Sequence, residues 1–125
     1  MESLLYQALN NNEGLISLVG ENSLAPVFTG NLNNPSLVYN FKPMKHALAK
    51  VTSLEINIIW SDYDLIQEVK TLLDSLLHFG YDSIFKPLGN CVFNSLNIGG
   101  KSTVYNDQYK MWNETITYKI TWKEV

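Results

Sequence analysis

The chain has 125 residues, nine basic and twelve acidic, for a net charge of -3, and only 17 % of its residues are charged. That length suits one domain of ordinary size, with enough apolar material to fold without a metal or disulfide staple. All nine cations are lysines; without arginine's planar fork and with a pI near 5.2, no sequence-specific nucleic-acid partner is expected.

Cys91 stands alone, so neither an intrachain disulfide nor a cysteine-type zinc site can be built from this sequence. Met1 to Gln7 lacks the basic region and apolar run of a signal peptide. The uninterrupted apolar stretches fall far short of the ~20 residues that span a bilayer, so no membrane partner is expected. Synthesis in a cytoplasm follows as the expectation.

Along the chain, Leu4, Leu5, Ala8 and Leu9 share one helical face and predict a short amphipathic helix from Glu2 to about Leu9. Asn10 to Asn12 end it. Leu15 to Val19 forms a second apolar patch, closed by Gly20, with room for another helical turn. Glu21 to Pro35 is rich in Asn, Gly and Pro and reads as loop, with at most a short strand at Val27-Phe28. Ser36 to Phe41 reads as a strand that Pro43 cuts off, followed by a Lys-flanked connector around His46.

The middle of the chain is the most strongly patterned. Leu54, Ile56, Ile58 and Trp60 alternate with Glu55, Asn57 and Ile59, the period of a half-buried strand. Ser61 or Asp62 then caps a helix with Asp64 in its first turn. Leu65, Ile66, Val69, Leu72, Leu73, Leu76 and Leu77 make one apolar stripe over about four turns. Glu68, Lys70 and Asp74 are assigned to the opposite side, and Gly80 to the stop, so the helix is expected to run from about Asp62 to Phe79.

Cys91 to Ile98 predicts a strand turned by Gly99-Gly100, while Val104 to Met111 has no clear period. Ile116, Tyr118, Ile120 and Trp122 alternate with Thr and Lys, giving a strand with one apolar and one wet face. The expected class is α+β: a mostly antiparallel sheet, with one long central helix and a short N-terminal helix packed on one face, in a single domain spanning 1–125.

Few residues invite a chemical role. Gly99-Gly100-Lys101-Ser102-Thr103 resembles the end of a phosphate-binding loop, but Ser95 stands where the first glycine belongs and no helix is expected to follow. It reads as a turn. Asp62 and Asp64 are explained as cap and dipole partners, and no neighbouring ligand completes a metal set. His78, in the last helical turn, suits the negative end of the helix dipole. Neither histidine stands in a nucleophile motif, and Cys91 beside Val92 and Phe93 reads as a small buried hydrophobe. No enzyme activity, catalytic residue, cofactor or metal is expected. Tyr105, Tyr109, Lys110 and Trp112 lie close together in a polar segment, and such aromatics favour a protein–protein interface or sheet packing.

The order of these features resembles the tail-terminator, or tail-completion, proteins of long-tailed bacteriophages. A helix of the type Leu4-Leu5-x-x-Ala8-Leu9 comes first, then a Pro-containing loop leading to the strand Leu37–Phe41. Ile58-Ile59-Trp60-Ser61 launches the long Leu-rich helix, and the alternating strand Ile116–Trp122 closes the chain. The resemblance implies a virion protein of the tail or neck, assembled in the host cytoplasm. It implies a ring of identical subunits, usually six, that stops tail-tube polymerisation. Its partners would be further copies of itself, the tail-tube protein and the head-connector or head-closure protein. The alternatives are another neck component, such as a head-closure or minor tail protein, or a bacterial ligand-binding or adaptor module.

Overall fold

A computed structural model describes residues 1–21, 23–28, 34–45, 50–81, 83–100 and 103–124. His46, Lys101 and Ser102, to which the connector and turn expectations refer, lie outside them. In chain order the elements are α1 (Glu2–Asn10), α2 (Glu13–Val19), β1 (Leu24–Ala25), β2 (Ser36–Lys45) and β3 (Lys50–Trp60). There follow α3 (Tyr63–Leu77), β4 (Lys86–Leu88), β5 (Cys91–Gly99), β6 (Val104–Asn106) and β7 (Met111–Glu124). The class is α+β.

Seven strands make one sheet in the order β1-β2-β3-β7-β5-β4, with β6 beside β7. β1 runs parallel to β2, and the other pairings are antiparallel. β3 and β7 pair from Lys50↔Trp122 to Trp60↔Trp112, and this register places Ile56 opposite Ile116. Pairing by twos then puts Leu37, Leu54, Ile56, Ile58, Ile116, Tyr118 and Ile120 on one face, each at most 1 % exposed.

That face is covered by helices. α3 lays Ile66, Val69, Leu73 and Leu77 on it, all buried. α1 meets it through Tyr6, whose ring packs on Tyr39 at 5.4 Å, and Leu5 and Leu9 join the same core as Leu15 and Val19 of α2. Each fully buried aliphatic side chain contributes about 1.5–3 kcal/mol by leaving water. Asp62 caps α3, its Oδ1 accepting from the amides of Asp64 and Leu65. Asn12 does the same for α2 through the Leu15 amide.

Several expectations need correction. Pro43 does not end β2, which runs on to Lys45 with a register shift between Pro43 and Lys45. Beyond β1 this is an edge strand, where a missing N–H on the outer side costs no ladder bond. The short strand after α2 is Leu24-Ala25, not Val27-Phe28. α3 stops at Leu77, and Gly80 follows with φ of +87°, turning the chain after the cap rather than forming it. Lys70 and Asp74 do not face solvent with Glu68; both lean onto β7. His78 is the C-cap of α3 rather than part of its last turn, and its Nδ1 accepts a hydrogen bond from the Asn97 amide at 3.0 Å. The unpatterned stretch Val104–Met111 resolves into a hairpin, β6 turning directly into β7.

Candidate functional site

Two groupings of polar and aromatic residues stand out, one beneath α3 and one at the end of the sheet where α3 begins. Beneath α3, Gln67, Lys70 and Asp74 recur at helical spacing along the flank of the apolar stripe. They meet the two polar residues that β7 turns toward the helices, Glu114 and Tyr118. Gln67 Nε2 donates to Glu114 Oε2 at 2.7 Å and Lys70 Nζ to Oε1 at 3.2 Å. The Tyr118 hydroxyl donates to Asp74 Oδ1 at 2.6 Å, and Asn97 Nδ2 donates to the same oxygen at 2.9 Å.

Burial of Tyr118, with the hydrogen bond to Asp74 and that carboxylate's charge behind it, pushes the phenol well above its ordinary pKa. Its proton is therefore fixed at neutral pH and unavailable for transfer. Every named group in this cluster is answered by another protein group, so the arrangement ties helix to sheet. Beside it a pocket of about 130 Å³ is lined by Lys70, Asn97, Gly100 and Glu114. A Cβ on Gly100 would overlap the Thr115 carbonyl, so only glycine permits this close approach of the chain to β7. Among the described residues no three His, Cys, Asp or Glu side chains come together as a metal set.

At the end of the sheet, Trp60, Trp112 and Tyr105 stand side by side across β3, β7 and β6. The half-buried Trp112 ring is met edge-on by Tyr105 at 4.8 Å and by Tyr63, the first residue of α3, at 5.3 Å. Tyr105 and Tyr63 remain 40 % and 43 % exposed. The four residues singled out in the sequence therefore do not form one surface. Tyr105 and Trp112 lie on the helix-covered face. Tyr109 lies on the other, lining an apolar pocket of about 190 Å³ with Phe28, Ile59 and Met111. Lys110 takes φ of +57° in the tight turn between β6 and β7, where Asn106 Oδ1 accepts from the Gln108 and Tyr109 amides.

Sequence reasoning missed Tyr63. Its only signal is its place next to the cap Asp62, which starts α3 directly over the Trp60–Trp112 pair. Asp62 and Asp64 flank Tyr63 in the chain and Asp107 follows Tyr105 by two, all three exposed, so the segments that bring these rings together are acidic.

Neither a family model nor a curated protein matches the sequence. A solved structure does match the fold. A chain from the virion of a native gene transfer agent particle aligns over 97 % of this chain and 92 % of its own, with a TM-score of 0.65 and 14 % identity. What the two share is the fold. The match takes in nearly the whole of both chains, so the sheet and its helices correspond as one unit.

Proposed function

We propose that the protein is a non-enzymatic structural component of a virion, a tail-terminator-like subunit that caps a tail tube as a ring and joins it to the head connector. The observation that carries this reading is the agreement of the fold, over nearly its full length, with a chain of a gene transfer agent virion. The ordered resemblance to tail terminators, from the N-terminal helix through Ile58–Ser61 to the final strand, supplies the specific role. The polar cluster under α3 suits a structural part, since its groups are spent on one another.

Deleting the gene from the genome that carries it and imaging the lysate by electron microscopy tests the proposal. Filled heads beside unattached tails of irregular or excessive length are expected, with joining restored by added purified protein. Joined particles of normal length in the deletion lysate would end it. Unattached tails of normal length would move the role to another neck position.

A further inference from the structure

We propose that the aromatic, acidic end of the sheet docks the lysine-bearing opposite end of a second copy, so that copies associate head to tail. At the first end the exposed Asp62 and Asp64 flank Tyr63 and the exposed Asp107 opens the turn after β6, on the segments that carry the Tyr63–Trp112–Tyr105 cluster, with Lys110 the one cation in that turn. At the other end, register aligns Lys50, Trp122, Phe93 and Lys86 across β3, β7, β5 and β4. Lys42 and Lys123 flank that row, against the carboxylates of Glu2 and Glu124. Among the described side chains, three acids stand with one lysine at the first end and four lysines with two acids at the other, so the two ends carry opposite net charge.

The apolar parts match as well. Met44 is 58 % exposed on β2 next to Lys42, and lysine stems pack on tyrosine faces while carboxylates take their ammonium groups. β3 alone spans 11 residues, or about 35 Å at the usual strand rise, so the two ends cannot meet within one copy. A two-fold pairing through either end would set like charges against each other. Contact between unlike ends is instead heterologous, and it propagates until rotation closes it. The long β2 edge does not offer an alternative, since Lys42, Pro43 and the register shift beside it guard against strand addition.

This inference supplies the subunit surfaces that the ring reading requires and rests on that reading for its setting, while the charges argue it independently. Sedimentation equilibrium on the full chain, carried to about 1 mM in about 20 mM salt, tests it. Wild type is expected to associate with rising concentration. The reversals Asp64→Lys/Asp107→Lys and Lys42→Glu/Lys86→Glu should each weaken association at least about tenfold. Mixed in equal amounts, the two variants should associate again, because the intact ends still match and the two reversed ends are once more opposite in sign. Where a variant fails to fold by circular dichroism, salt replaces it: about 500 mM should weaken wild-type association about tenfold.

A wild-type monomer at every concentration, association indifferent to both reversals or to salt, or an equal mixture that associates no better than either variant alone would each overturn the contact. Association lost on reversal in a protein whose deletion leaves particles normal would instead remove the virion setting and keep the contact.

Discussion

The two faces of the sheet come from the same strands and are nonetheless built on opposite terms. On the covered face, Leu54, Ile56, Ile58, Ile116 and Ile120 are sealed under α3. On the open face Ser53, Glu55, Asn57, Thr115, Thr117 and Lys119, their immediate chain neighbours, are only half-buried. On the covered face α3 supplies partners for Glu114 and Tyr118, while Ser95 Oγ and Trp122 Nε1 are buried there without one. On the open face most polar side chains reach water, the exception being Asn94, which is buried and donates to the Tyr81 and Ile84 carbonyls. Stability is therefore concentrated on one side of a structure one strand layer thick, and the other side is free to be used.

Leu73→Ala tests that contrast most severely. Removing a side chain with 0 % exposure at the centre of the helix–sheet contact should cost about 2–5 kcal/mol, measured as a fall in urea midpoint. A loss under about 0.5 kcal/mol would mean that the covered face is not the seat of stability.

Tyr118→Phe comes next. It removes a hydrogen bond to a carboxylate and should cost about 1.5–3 kcal/mol near neutral pH. The phenol also sets a pH dependence. Its pKa is raised in the folded protein, so the folded state holds the proton that the unfolded state releases from about pH 10. Its contribution is thus complete below pH ~10 and should decline above it, by up to about 1.4 kcal/mol per pH unit. Thermal melts of wild type between pH 8 and 11, taken as roughly the window that brackets the tyrosine titration, should show this decline, and the Phe variant should lack most of it.

Asp62→Ala removes the cap of α3 and should lower stability by about 1 kcal/mol, with the helix otherwise intact by circular dichroism. Thr117→Ala on the open face should stay within about 0.5 kcal/mol. If it cost as much as Leu73→Ala, the open face would be carrying a share of the fold not visible in its exposure.

The parts legible in the sequence are those fixed by local periodicity. The stripe of α3 and the alternation in β3 and β7 each state their own burial, and the cap falls on Asp62, one of the two residues the sequence offers for it. The errors fall where the deciding partner is distant in sequence. Lys70 and Asp74 look like solvent residues on a helical wheel, and only Glu114 and Tyr118, 44 positions away in each case, turn them inward. Pro43 reads as a terminator because its edge position cannot be inferred from its neighbours. The four candidate interface residues part company for the same reason. Tyr105 and Trp112 do meet, but the turn at Lys110 sends Tyr109 to the other face, and Tyr63 arrives from another element.

β7 has a consequence for how the protein comes into being. It is the strand that joins the β2–β3 hairpin to the β4–β5 hairpin, and β3 and β5 touch no common strand except through it. It is also the last of these elements to leave the ribosome. During synthesis the two hairpins must wait as separate pieces, with the inner edges of β3 and β5 bare, until some 14 further residues emerge. The long-range pairing that then closes the sheet pays its loop entropy all at once, so folding should appear as a single late event rather than a gradual accretion along the nascent chain.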